Sequence, residues 1–179
     1  DHIGALPYVL QTLHVPVYGT RLTLGILEKK LEDHRYDQKP ELHCVEAGDT
    51  VKLGVFSAEF IHVNHSIADA CSIAIRTPVG VVVHSGDFKL DLTPIQGEMM
   101  NLTRLGELGN EGVLLLMCES TNVERPGFTP SEKVVGRTLD DIFWKNEDKR
   151  LVISTFSSNV HRVQQIIDAS ARYGRKVAV

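Results

Sequence analysis

Four short stretches set ionisable side chains at the ends of apolar runs. They are Asp1-His2 at the start, His62 and His65 in HVNHSIAD, His84, Asp87 and Lys89 in HSGDFK, and Glu119 in CEST. Asp and His are the donor types that a borderline cation such as zinc takes in a catalytic centre, where one position must stay open for water. A short carboxylate can also bridge two ions, one route to stabilising both oxygens of a phosphoryl displacement. Taken singly, each stretch has a plainer reading: a His ahead of a helix is a cap or surface residue, SGD after an apolar strand is a turn, and Glu119 caps the next segment. Their joint order is the specific signal: Asp-His opening a helix, a His after a strand, then GDF after the next strand.

The elements that must position these residues are read from periodicity. Ile3, Leu6, Leu10 and Leu13 are spaced like one helix face behind Asp1-His2. HVPVYG reads as a short strand ended by Gly19, and TRLTLGILEKKLEDH as an amphipathic helix with Thr20 as N-cap and Leu24, Leu27 and Leu31 on one face. ELHCVEAGDTVKLG reads as strand, turn at Ala47-Gly48-Asp49, and strand. VFSAEFIHVN and ACSIAIRTPVGVVVHSGDFK continue in antiparallel style, with a tight turn at Thr77-Pro78-Val79-Gly80.

Beyond TRLGELGNEG the style changes. VLLLMCEST reads as a strand buried on both faces. TPSEKVVGRTLDDIFWK reads as a helix capped by Ser131, RLVISTFSSN as a strand, VHRVQQIIDASARYG as a helix closed by Gly174, and RKVAV as a further strand. That β-α-β alternation implies parallel strands and a nucleotide-binding-like α/β layer, with the change of style near residues 120–130.

Composition narrows the class. The chain has 179 residues, 42% of them apolar and 23% charged, the balance of a globular protein with a sizeable core. No apolar run reaches the ~18–20 residues of a membrane span, and no secretory signal pattern opens the chain. Cys44, Cys71 and Cys118 show no CxxC spacing and lie in apolar, strand-like stretches, so they read as buried free thiols in a reducing, cytoplasmic setting. Residues 1–124 carry 9 basic against 17 acidic side chains, a charge of −8, and residues 125–179 carry 10 against 6, or +4. A basic second segment suits a polyanion, although ordinary surface variation also produces such asymmetry.

The order of these motifs resembles the metallo-β-lactamase superfamily, whose HxHxDH motif ends in the Asp-His pair found here at residues 1 and 2. DHIGALPYVL, VNHSIADACSIAIRTPVGVVVHSGDFK, CESTN and ISTFSSNVHRVQQIIDASARYGRKVAV resemble the ribonuclease J family, within the β-CASP group, along essentially the whole chain. The resemblance implies an α/β fold: part of a metallo-β-lactamase-like αβ/βα sandwich in residues 1–124, followed by the start of a β-CASP α/β domain in residues 125–179. It implies a zinc-dependent ribonuclease, with two ions in the full-length enzyme and manganese or magnesium as substitutes. That enzyme hydrolyses RNA phosphodiesters from the 5′ end and internally, in mRNA decay and rRNA maturation.

Carried across residue by residue, Asp1 and His2 match ligands of the second zinc, His65 a ligand of the first, and Asp87 the carboxylate that bridges both. Asp1 is also expected near the attacking water. Glu119 matches the acidic residue that marks the β-CASP group and orients a ligand or proton carrier. Asp1, Asp87 and Glu119 are thus the expected catalytic set. His62 and His84 read as partly buried histidines with backbone partners, with metal ligation the other reading. Lys89 and Arg162 read as solvated surface charges. Ser157, Ser158 and Asn159, between a strand and a helix, are candidate holders of an RNA phosphate.

The chain is expected to start inside the HxHxDH motif, so that as a fragment it binds zinc poorly and shows no nuclease activity. Sheet edges left without their neighbours would invite aggregation. The partners implied are RNA and, at full length, further copies as a homodimer or homotetramer; no membrane is implied. Two other classes remain: a non-catalytic RNA-binding scaffold, against which Asp1, His2, His65 and Asp87 argue, and another hydrolase of the same fold, against which the β-α-β segment argues.

Overall fold

A computed structural model describes residues 2–36, 39–95 and 97–179. They divide into two compact units: one runs up to Val63 and takes in Asp69–Asp87 and Asn101–Glu119, and the other is Asn64–Ala68, Phe88–Met100 and Ser120–Val179.

The first unit is built on a five-stranded mixed sheet in the order β3 (Thr50–Leu53), β4 (Phe56–His62), β5 (Cys71–Thr77), β6 (Gly80–His84) and β7 (Val113–Met117). Neighbours are antiparallel except β6 and β7, which run parallel. The two-residue alternation of strand side chains sorts this sheet into two faces. Ile61, Ala74, Val81 and Val83 point to one side, where Leu105 and Leu108 of helix α3 (Leu102–Glu111) pack on them. Ala58, Phe60 and Ile73 point to the other, against Tyr18 and Val45. Tyr18 belongs to a separate two-stranded parallel pair, β1 (Val17–Gly19) with β2 (Leu42–Cys44). Helix α2 (Arg21–Glu32) buries Leu24 and Leu27 as its spacing requires. Its N-cap Thr20 is extended but makes no side-chain cap bond, since its hydroxyl donates to Thr23 Oγ1.

The turn after β5 is tight: Thr77 pairs with Gly80, whose φ of 150° suits glycine, and the Thr77 hydroxyl donates to the Gly80 carbonyl. Helix α3 has no counterpart among the elements expected from the sequence. Its signals are Asn101, whose side chain accepts from Arg104 N, and Gly112 at its end with φ 98°; Gly106 and Gly109 interrupt the pattern between them.

Five expectations are corrected, the last of them within the second unit. β7 is not buried on both faces: Leu114, Leu115, Leu116 and Met117 are exposed, because β7 ends the sheet and only Val113 reaches the core under α3. Residues 151–156 and 175–179 are in no strand, since neither segment pairs with another among the described residues. Cys44 and Cys118 are exposed and Cys71 is half-buried, the first two lying at or just past strand ends. The first helix is a single turn, α1 (Leu6–Val9); Leu10 is buried but Leu13 is exposed.

The second unit holds helices α4 (Glu132–Lys145) and α5 (Val160–Arg172), packed through Leu139, Phe143 and Ala169 with Leu151 and Ile166 at the margin. Ser131 caps α4 by accepting from Lys133 N, and Gly174, with φ 63°, closes the end of α5. Lys89 and Arg162 are not lone surface charges: both donate to Glu132, at 3.2 and 2.8 Å, in a partly buried cluster. Burial pushes the Glu132 carboxyl up, but the bonds from Arg162 and Lys89 outweigh it and hold it below the usual carboxylate range.

Candidate active site

β6 and β7 lie side by side and parallel, so their C-terminal ends open on one edge of the sheet. Sites in such sheets form outside the carboxyl ends of the strands. The turn after β6 carries Asp87 and the turn after β7 carries Glu119.

Asp87 meets His2. The imidazole Nε2 and the carboxylate Oδ2 are 2.9 Å apart, from residues 85 apart in the chain, with His2 exposed and Asp87 half-buried. The turn that presents Asp87 is held at each residue. Gly86 N donates to His84 Nδ1 at 3.0 Å, so that nitrogen keeps its lone pair. Ser72 donates its buried hydroxyl to the Ser85 carbonyl at 2.6 Å. Gly86 has φ 60°, and a Cβ there would lie 3.2 Å from the Cys71 carbonyl, so only glycine suits the position.

Glu119 is half-buried, and its backbone N–H donates to Ser85 Oγ at 3.0 Å. His62 ends β4 and its carbonyl accepts from Asn101 N. His65 lies in the second unit, on the segment between β4 and β5. Its neighbour Asn64 anchors that segment: the side chain donates to Glu98 O and accepts from Met100 N, and the carbonyl accepts from Lys89 N. Asp1 lies outside the described residues. Asn159 is buried and its side chain accepts from Arg162 N, capping α5, while Ser157 and Ser158 form the turn before it. Sequence reasoning missed Ser85 and Asn64; the polar residues flanking His65 and Asp87 in VNHS and HSGD were the available signal.

The donors at His2 and Asp87 fit a divalent cation, which binds an imidazole nitrogen and a carboxylate oxygen in place of the contact they make with each other here. Among the described residues, no group of three His, Cys, Asp or Glu side chains gathers as a metal site.

Comparison with known proteins bears on what this edge is for. The chain is 43% identical over its full length to Ribonuclease J of Thermus thermophilus and 47% identical to Ribonuclease J of Synechocystis. It is 38% identical to Ribonuclease J2 of Bacillus subtilis. Along its whole length the chain is similar to ribonucleases J. It spans 32% of the Thermus protein and 28% of the Synechocystis protein, about a third of their length. The family profile described as "Ribonuclease J, beta-CASP domain" matches residues 148–179, which contain α5 and the Ser157-Ser158-Asn159 turn. Among solved structures, a protein of unknown function from Enterococcus faecalis superposes with a TM-score of 0.64. That match covers 86% of this chain and 39% of the other at 22% identity, and it speaks to the fold alone. The mixed α/β architecture agrees with the fold class expected of the ribonuclease J family.

Proposed function

We propose that this chain supplies part of the active site of a metal-dependent ribonuclease, which at full length hydrolyses RNA phosphodiesters as a 5′–3′ exonuclease and endonuclease. The observation that carries the reading is the convergence of His2 and Asp87 at the edge where β6 and β7 open, in a chain 38–47% identical to ribonucleases J. Residues 1–124 form the metallo-β-lactamase part and residues 125–179 begin the β-CASP part.

Asp1, His2, His65 and Asp87 are the residues that would hold zinc, with manganese or magnesium as alternatives. When bound, a pair of such ions lowers the pKa of water towards ~7 and neutralises charge developing on the phosphate. Asp87 and His2 would both serve as ligands, and Asp1 accepts the proton from the attacking water. Glu119 orients a neighbouring ligand or proton carrier from the turn after β7. Ser157 and Ser158, with the turn before α5, hold an RNA phosphate. The cellular roles are mRNA decay and rRNA maturation in the cytoplasm, by a homodimer or homotetramer.

The test uses the full-length protein with 5′-monophosphate and 5′-triphosphate RNA in the presence of zinc or manganese, beside Asp87→Ala. Release of nucleotides from the monophosphorylated 5′ end, lost in the variant, is the expected result. RNA binding without cleavage by the unaltered protein would overturn it in favour of a scaffold; hydrolysis of lactones or thioesters alone would point to another hydrolase of this fold.

A further inference from the structure

Every polar group of Ser85 is engaged, although the residue is neither an expected ligand nor a catalytic group. Its N–H donates to Met117 O at 2.9 Å, continuing the β6–β7 ladder, and its carbonyl accepts from Ser72 Oγ. Its hydroxyl donates to Gly86 O at 2.6 Å and accepts from Glu119 N at 3.0 Å. Ser85 is 6% exposed, so water does not compete for these bonds. The hydroxyl therefore joins two turns that nothing in the local sequence joins: Gly86 precedes Asp87, and Glu119 lies two residues past the end of β7. A hydrogen-bond bridge of this kind, buried at a strand end, fixes the backbone at both carboxylates together.

We propose that Ser85 is the positioning residue of the site, its hydroxyl setting the Asp87 turn and the Glu119 turn as one unit. This rests on the reading of the site as a ribonuclease centre, and it assigns to Ser85 a role that acts through Asp87 and Glu119, without contact to the substrate.

The experiment measures zinc affinity, by competition with a chromophoric chelator, and steady-state RNA cleavage for the full-length protein and its variants. Ser85→Ala is expected to weaken zinc binding and lower kcat roughly tenfold each, the range for removing a group that orients a metal ligand, with KM within about twofold. Ser85→Thr keeps the hydroxyl and is expected to restore both. Ser85→Cys keeps the volume with a weak acceptor, so it replaces the alanine variant if that one loses its fold. Wild-type zinc affinity and kcat in a folded Ser85→Ala or Ser85→Cys protein would overturn the proposal. An unaltered protein that neither binds zinc nor cleaves RNA would instead overturn the functional reading itself.

Discussion

Glu59 of β4 and Arg104 of α3 meet through two hydrogen bonds, Nε to Oε1 at 2.6 Å and Nη2 to Oε2 at 2.9 Å. Arg104 also reaches Glu107 and Glu111, and Glu111 is paired with Arg76 of β5. The bidentate geometry ties α3 across the sheet face that holds Ile61, Ala74 and Val83, the layer from which β6 delivers Asp87.

The hydrogen bonds from Arg104 hold the Glu59 carboxyl below the usual carboxylate range despite partial burial. A carboxylate depressed on folding adds stability above its unfolded pKa and loses it as pH falls through the folded value. Glu59→Gln is thus expected to cost about 1–3 kcal/mol at pH 7 and almost nothing below the folded pKa. Urea denaturation from pH 7 to pH 2.5 checks it: the difference between unaltered protein and variant should close on the acid side.

Asp87→Asn keeps the size of the side chain and removes the charge that faces His2. It is expected to lower RNA cleavage more than about 100-fold while the far-ultraviolet circular dichroism stays unchanged. Treatment with a chelator should abolish activity in the unaltered protein, and added zinc or manganese should return it there but not in Asp87→Asn.

Glu132→Gln leaves Lys89 and Arg162 facing one another without their shared carboxylate. With all three side chains partly exposed, the expected loss is about 2 kcal/mol, less than for a fully buried pair. The urea midpoint should fall, and raising the salt concentration should narrow the gap by screening the two cations.

Asn159→Ala removes the N-cap of α5 and is expected to cost about 1 kcal/mol. Because the Asn159 side chain is occupied with Arg162 N, its loss should weaken RNA binding only through the helix, whereas Ser157→Ala should weaken it directly with stability unchanged. Fluorescence anisotropy with labelled RNA, run beside thermal unfolding, separates the two.

Helices α2, α4 and α5 were legible in the residues themselves, and so was the β5–β6 hairpin. Their hydrogen bonds close within a segment or across a two-residue turn, so apolar spacing and residues such as Ser131, Gly174 and Gly80 suffice to define them. The candidate site residues were legible as types in an order, through Asp-His, the His after β4 and GD after β6. Other features depend on neighbours that no local pattern names. A strand's bonds go to another segment, so 151–156 and 175–179 have strand composition without a strand, and the apolar β7 has the composition of a buried strand at an exposed edge. The same holds for charge and chemistry. Lys89 and Arg162 became an ion cluster only because Glu132 came between them, and His2 met Asp87 only because the fold closed 85 residues. Tertiary structure alone decided that Ser85, a small polar residue of no distinct pattern, would sit where β6 and β7 end and join their two turns.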